Sequence, residues 1–144
     1  MIYLSPPENF QPKFYVVSCF IEYDGKFLML LRNSEKSEGN KWGHPAGKRD
    51  EGESEIQAVI REVKEETGID LDPTQVDRSL PVYIRYPDYD YIFHMFGATL
   101  EALPEVQTDP HEHQDHQWVT PEESIKTHLV MDTDACIKAF YGLS

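Results

Sequence analysis

The first half of the chain contains two runs of apolar, β-favouring residues. Residues 13–23 and 26–32 form these runs, and the dipeptide Asp24-Gly25 separates them. An Asp-Gly pair between two such runs is a strong short-range indication of a two-residue β-hairpin turn. The following residues, 34–40, are polar and rich in turn-forming types, so they predict a loop.

A second hairpin is predicted in the second half of the chain. Residues 82–86 and 91–100 form two further β-favouring runs, with Pro87 and Asp88 at the turn between them. Residues 117–120 predict a short strand near the end of the chain.

The clearest helix is predicted between these two hairpins. Ser54 and Gln57 form a capping box and Gly68 is a natural C-terminal stop, so we expect a helix over residues 55–67. Within it, apolar residues recur at i, i+3, i+4 and i+7, which places them on one face that is directed at a core. These residues are Ile56, Val59, Ile60 and Val63.

Two shorter helices are predicted near the C-terminus. Thr120 and Glu123 form a capping box with Pro121 at the first helical position, which favours a short helix that runs toward residue 128. A last helix starts at Asp132 or Thr133, either of which is a suitable N-cap, and ends near Gly142. Strands mixed with helices in a chain of this size indicate an α/β or α+β layered fold.

Length and composition indicate one globular domain. The chain has 144 residues, of which 40% are hydrophobic, so it has enough apolar side chains for a sizeable core. No apolar run approaches the roughly 18 residues that a membrane span needs, and no charged-then-apolar leader opens the chain. We therefore expect a single domain over residues 1–144, no membrane partner and a cytoplasmic location. Cys19 and Cys136 lie among apolar neighbours and are expected to be buried free thiols.

The net charge is strongly negative, at −13. Such a surface repels the phosphate backbone, so binding to long nucleic acids is disfavoured. A small phosphorylated ligand is compatible with it, because bound divalent cations invert the local field. Residues 101–123 contribute much of the charge, since they contain seven acidic residues and neither lysine nor arginine.

The predicted helix 55–67 carries an acidic face beside its apolar one. Glu62, Glu65 and Glu66 stand at i, i+3 and i+4, so their carboxylates share one side of the helix. Clustered carboxylates repel one another, and a hard divalent cation such as Mg²⁺, Mn²⁺ or Ca²⁺ reverses that repulsion. The alternative is a solvated acidic surface that is eased by an ion pair between Arg61 and Glu65.

The surroundings of this helix change the balance between these alternatives. Residues 47–69 resemble the Nudix box, in which a glycine, a glutamate and a helical Arg-Glu-apolar-any-Glu-Glu-any-Gly-apolar motif stand at fixed spacing. All nine specified positions agree with it, and with average residue frequencies such agreement arises by chance in a chain of this length about once in 10⁷. They are Gly47, Glu53, Arg61, Glu62, Val63, Glu65, Glu66, Gly68 and Ile69.

This resemblance implies an α/β fold, namely an α/β/α sandwich with a central mixed sheet. It implies hydrolysis of a nucleoside diphosphate linked to another moiety, and a compact chain favours a nucleoside triphosphate, which yields a monophosphate and pyrophosphate. ADP-ribose, a nucleotide sugar or a dinucleoside polyphosphate is an alternative substrate. A non-catalytic nucleotide-binding module and an acidic calcium buffer are alternative functions, although the box is complete and no EF-hand pattern is present. The family is often dimeric, so a homodimer is possible.

The resemblance also implies roles for particular residues. Glu62, Glu65 and Glu66 would bind Mg²⁺, with Mn²⁺ as a possible substitute, and Glu65 or Glu66 would orient the attacking water. The backbone carbonyl of Ala46, at a position where many members have glycine, is a further possible metal ligand. Glu53 and Arg61 would form a supporting ion pair. Gly47 would permit a tight loop at the entry to the box.

A second candidate region lies between residues 111 and 116. Several members carry an additional glutamate before the late strand, and Glu112 is the candidate here for a general base or further ligand, with a solvent-exposed residue of no function as the alternative. The nearby His111, His113 and His116 have a spacing that fits no familiar zinc site. His44 occupies a position before a proline where an apolar residue is common. Several aromatic residues are candidates for stacking on a base or for core packing: Tyr83, Tyr86, Tyr89, Tyr91, Phe93 and Phe96.

Overall fold

The sheet and helices follow the predicted order, with several additional short elements. The structure is a computed structural model that describes residues 1–144. Its strands are β1 (Ile2–Tyr3), β2 (Pro12–Tyr23), β3 (Lys26–Arg32), β4 (Trp42–Gly43), β5 (Ala46–Lys48), β6 (Val76–Arg85), β7 (Asp90–Thr99) and β8 (His113–Val119). Its α-helices are α1 (Glu55–Thr67), α2 (Pro121–Ser124) and α3 (Thr133–Tyr141), and a 3₁₀ turn spans Pro73–Gln75.

The first hairpin is confirmed, but its two strands separate soon after the turn. Asp24 and Gly25 both have positive φ, at 53° and 77°, as a type I′ turn requires. β2 and β3 pair only at Glu22–Phe27 and Tyr23–Lys26. Beyond these pairs β2 pairs with β5 and β7, whereas β3 pairs with β4 and β8. The separation leaves room between the strands for the chain that connects β4 to β5.

The sheet is mixed. Its main path runs β1-β6-β7-β2-β3-β4, with β5 attached to β2 and β8 attached to β3. β2 and β7 are parallel, and the remaining pairs are antiparallel. The predicted second hairpin is confirmed, with its turn closed by a hydrogen bond from the Tyr86 amide to the Tyr89 carbonyl (2.9 Å).

Several predicted boundaries are wrong. The strand expected to start at residue 82 starts at Val76, and the strand expected to start at residue 117 starts at His113. The residues added to β8 are all polar, and those added to β6 include Asp77, Arg78 and Ser79. Both additions are strands because their backbones pair with β3 and β7. The helix expected to run toward residue 128 ends at Ser124. Asp132 occupies the N-cap position of α3 but makes no capping hydrogen bond. Its backbone is left-handed, with φ of 65°, where a capping residue is normally extended, and its carboxylate accepts a hydrogen bond from the Tyr86 hydroxyl (2.6 Å).

Helix α1 is fixed at both ends as its sequence predicts. The Ser54 hydroxyl accepts a hydrogen bond from the Gln57 amide (3.1 Å), and the Gln57 side chain accepts one from the Ser54 amide (2.9 Å). Gly68 ends the helix with φ of 76°. No helix in the structure combines the length and the apolar character that crossing a membrane requires.

Two cores lie on opposite faces of the sheet, because successive side chains of β2 alternate between them. The core on the α1 side contains Val17, Cys19, Ile21, Leu28, Leu30, Ala58, Val59, Val63, Ile69, Leu71, Phe96 and Ala98. The core on the α3 side contains Phe20, Phe27, Met29, Val82, Ile84, Met95, Val119, Cys136 and Ile137. This arrangement confirms the predicted α/β/α layers, and both cysteines are buried free thiols as expected.

The capping box provides a test of how α1 is anchored. Ser54→Ala removes the hydroxyl that accepts from the first turn, so we expect a loss of about 1 kcal/mol in unfolding free energy. For a chain of this length the midpoint of thermal unfolding should fall by about 3 °C. Ser5→Ala, at an exposed position without a side-chain hydrogen bond, is the control and should leave the midpoint unchanged. Equal midpoints for the two variants would contradict this role of Ser54.

Candidate active site

Glycine at position 47 leaves room for the carboxylate of Glu62. Gly47 lies in β5 opposite Val17 of β2, and α1 packs across this strand. A Cβ atom added to Gly47 would overlap the carboxylate carbon and both carboxylate oxygens of Glu62. The expectation that Gly47 permits a tight loop is therefore wrong. The residue sits in a strand without positive φ, and it is needed because a side chain approaches its backbone closely.

Arg61 binds most of the surrounding carboxylates. Its Nε and Nη2 atoms donate to the two carboxylate oxygens of Glu53, at 2.8 and 2.9 Å. Its Nη1 atom donates to Glu62 at 2.9 Å and to Glu65 at 3.3 Å. Nη2 also donates to the Lys48 carbonyl in β5 at 3.1 Å. The predicted pairing of Arg61 with Glu53 is present, and so is the i, i+4 pair of Arg61 with Glu65.

These contacts divide the acidic groups into two electrostatic types. The hydrogen bonds from Arg61 and from the Asp50 amide hold the pKa of Glu53 down, to about 2. Burial has the opposite effect on Glu62 and raises its pKa, with Arg61 opposing the shift. Glu53 thus remains ionised as a fixed partner of Arg61. Glu62 lies in a less hydrated position, where a nearby positive charge stabilises its ionised form.

Glu66 is the carboxylate that faces the strands. Its Oε2 atom accepts a hydrogen bond from the Ala46 amide at 2.9 Å. Burial, together with the charge of Glu62, raises the pKa of Glu66 to about 8. Ala46 itself does not have positive φ, so alanine is compatible with a position where many family members have glycine.

The residues predicted to bind metal lie together, but their carboxylates are turned toward protein donors. Glu62 and Glu65 converge on the Nη1 atom of Arg61, and Glu66 bonds to the backbone of Ala46. No three acidic, histidine or cysteine side chains are arranged to hold an ion as they stand. The donor set nevertheless fits a hard divalent cation, because it consists of carboxylate oxygens whose mutual repulsion only one guanidinium offsets.

Glu112 lies on the turn before β8, as predicted. Its side chain is 51% exposed and pairs with Lys36, at 3.0 Å. Its charge also contributes to the raised pKa of Glu66.

A cavity of about 160 Å³ adjoins Glu66 and Ala46. Tyr91 and Phe93 of β7 contribute to its walls, and Asp132 also lines it. No local pattern in the sequence indicates that Asp132 belongs to a site, because its hydrogen-bond partner Tyr86 lies 46 positions away along the chain.

The aromatic candidates and the histidines separate into lining, packing and surface residues. Phe96 belongs to the core on the α1 side, so its candidate role in stacking has no support. His113 is buried in the first position of β8, whereas His111 and His116 are exposed. The three histidines do not form a cluster that could hold zinc.

Comparison with known proteins agrees with the fold and the box. A family model described as the NUDIX domain matches residues 12–139. The CTP pyrophosphohydrolase of Escherichia coli (strain K12) is 30% identical over 138 residues, which cover 89% of this chain and 91% of that relative. The MutT protein of Methanosarcina mazei Go1 is 25% identical, with a TM-score of 0.73 over 92% of this chain and 95% of that chain.

A further solved structure contains a metal ion. It is a bifunctional NMN adenylyltransferase/ADP-ribose pyrophosphatase from Francisella tularensis, in complex with AMP and manganese. It is 25% identical to this chain, with a TM-score of 0.73, and the match covers 93% of this chain and 42% of that chain.

The chain belongs to the Nudix hydrolase family. Within it, the chain is a nucleotide pyrophosphohydrolase, which acts on small nucleotide-linked substrates. Nudix hydrolases generally use divalent metal ions.

The close approach of Glu62 to Gly47 generates a prediction. Gly47→Ala should displace the carboxylate of Glu62, a predicted metal ligand, and should therefore weaken Mn²⁺ binding by tenfold or more, which is the size of effect that loss of a ligand's support has. The fold should persist, since the displaced atoms are the end of a flexible side chain. Bound Mn²⁺ is measured by electron paramagnetic resonance, and folding by circular dichroism.

Two further variants make this test specific. In Gly43→Ala the added carbon would meet its nearest atom, in Val130, at 3.5 Å, so Mn²⁺ affinity should not change. Adding Glu62→Asp to Gly47→Ala shortens the displaced side chain and should restore part of the affinity. Wild-type Mn²⁺ affinity in Gly47→Ala would show that this contact does not position a ligand.

Proposed function

We propose that this chain catalyses the Mg²⁺-dependent hydrolysis of a nucleoside triphosphate to a nucleoside monophosphate and pyrophosphate. The observation that carries the proposal is the position of the carboxylate cluster of α1, which lies against β5 and beside the cavity. This arrangement suits a substrate whose phosphates lie at the carboxylates and whose remainder enters the cavity. The similarity to a CTP pyrophosphohydrolase supports a triphosphate substrate.

In this proposal Glu62, Glu65 and Glu66 would hold Mg²⁺, and the Ala46 carbonyl would be a further ligand. The ion would neutralise phosphate charge and lower the pKa of a bound water. Arg61 and Glu53 position the helix and its loop rather than contact the substrate. Glu62 and Glu65, which accept from Arg61 in this structure, would offer their carboxylate oxygens to the ion.

Glu66 or Glu65 orients the attacking water, and Glu112 assists from the turn before β8. The acidic segment 101–123 repels a free polyphosphate. The substrate therefore approaches as its magnesium complex, and activity should depend steeply on Mg²⁺ concentration.

A second candidate function is the hydrolysis of ADP-ribose. The observation that favours it is the similarity to a bifunctional protein with ADP-ribose pyrophosphatase activity. Both candidate reactions would use the same carboxylates, and they differ in the group that the diphosphate links to the nucleoside.

Two isosteric variants test the metal ligands. Glu65→Gln and Glu66→Gln each remove a negative charge while keeping the side-chain volume, so each should lower kcat by at least about 100-fold and weaken Mn²⁺ binding. Thermal unfolding checks that both remain folded. Glu51→Gln, at an exposed position in the loop before α1, is the matched control and should retain activity. Full turnover in both active-site variants would exclude them as ligands.

A substrate panel tests the reaction. The protein is incubated with Mg²⁺ and with nucleoside triphosphates, ADP-ribose, nucleotide sugars and dinucleoside polyphosphates. Hydrolysis of a triphosphate should yield monophosphate and pyrophosphate. When the reaction runs in ¹⁸O-labelled water, one of these two products should carry the ¹⁸O label. Release of inorganic phosphate alone would contradict cleavage between the α and β phosphates.

The contribution of Glu112 is tested separately. Glu112→Gln should lower kcat by about 10-fold to 100-fold if this carboxylate takes part in proton transfer, with little change in thermal stability because the side chain is exposed. Lys36→Met removes its ion-pair partner and serves as the control, with activity retained. Equal activity of wild type and Glu112→Gln would remove Glu112 from the mechanism.

A further inference from the structure

Two buried histidines line the cavity beside Glu66. His44 is 8% exposed, and neither of its ring nitrogens has a hydrogen-bond partner in the protein. Its ring stacks on Phe20, with centroids 4.1 Å apart and an angle of 9° between the planes. His113 is also 8% exposed, and its Nδ1 atom has no partner.

These two residues come from different parts of the fold. His44 lies in the connection between β4 and β5, in the space that opens where β2 and β3 separate. His113 begins β8 and stands opposite Arg32 of β3. Packing alone does not require polar side chains at these places, because a buried polar group without a partner destabilises a protein relative to an apolar group of similar shape.

The other lining groups indicate what kind of ligand would satisfy the histidines. Tyr91 and Phe93 give the cavity aromatic walls, which suit a flat ring. Its volume of about 160 Å³ lies below the roughly 300–1,000 Å³ that encloses a drug-sized ligand, so it suits one part of a substrate. Asp132 supplies an acceptor, and Arg32 supplies a donor.

We propose that His44 and His113 bind the base of the nucleotide and determine which base is hydrolysed. Both ring nitrogens of His44 and the Nδ1 atom of His113, which have no partner in the protein, would hydrogen-bond to the edge of the base. The carboxylate of Asp132 accepts from an exocyclic amino group and repels a carbonyl oxygen at the same place. Arg32 donates to a ring carbonyl. The cavity therefore prefers cytosine to uracil, an inference that rests on the proposed function for its nucleotide substrate.

The first experiment measures binding without hydrolysis. The protein is labelled with ¹⁵N-histidine and titrated with CMP and with UMP in the absence of metal. The ring nitrogens of His44 and His113 should shift with CMP, because hydrogen bonding changes their chemical shifts, and CMP should bind more tightly than UMP. His116, exposed on the same strand, should not shift. Unchanged ring signals for both buried histidines would overturn the proposal.

The second experiment measures selectivity. Wild type should hydrolyse CTP with a kcat/KM at least tenfold above that for UTP. His44→Leu and His113→Leu should each reduce this ratio to below about threefold, mainly by raising KM for CTP, while His116→Leu keeps it. An unchanged ratio in both leucine variants would overturn the proposal.

Thermal unfolding accompanies these measurements. His44→Leu removes an unpartnered buried polar group and should leave the midpoint equal to wild type or higher. A lower midpoint in both leucine variants, with the CTP to UTP ratio retained, would assign the histidines a structural role instead. Wild type that shows the CMP-dependent shifts but hydrolyses no nucleotide would overturn the proposed function and leave base binding in place.

Discussion

The guanidinium of Arg61 holds the acidic side of helix α1 together. Glu53, Glu62 and Glu65 carry like charges within reach of one another, and without a cation among them they would separate. Arg61 satisfies all three and also bonds to the Lys48 carbonyl, so one side chain ties the helix, its preceding loop and β5 into one unit. Its planar fork makes this possible, since five N–H donors point in fixed directions.

The separation of β2 from β3 is the second feature on which the site depends. A hairpin that stayed paired along its length would place backbone where His44 and Ala46 now lie. Because pairing stops after two residue pairs, the β4–β5 connection enters the gap, and the carboxylates of α1 reach it from one side of the sheet. The cavity lies beside this gap, and its lining includes Cys136 from α3 on the other side.

The parts of this structure that sequence predicts are those that local rules determine. Helix α1 is bounded by a capping box and a glycine that lie within it or next to it, so its bounds follow from the residues alone. The box fixes the spacing of Glu53, Arg61 and the three metal-ligand candidates, and the structure places them together. By contrast, the first residues of β8 are polar and are strands only because β3 lies beside them. The cavity also could not be predicted, because residues from β3, β7, β8 and α3 meet there through the sheet topology. The spacing of the box also indicates a glycine at position 47, but the reason for that glycine depends on the position of Glu62.

Because both ends of α1 are fixed, the number of residues between Ser54 and Glu66 is fixed as well. The capping box sets the first residue of the helix, and Gly68 sets the last. One residue inserted between Ser54 and Glu62 would turn every later side chain by about 100° about the helix axis. Glu62 would then leave Gly47, and Arg61 would lose its contact with Glu53. A change in chain length within α1 is therefore a change to the site itself.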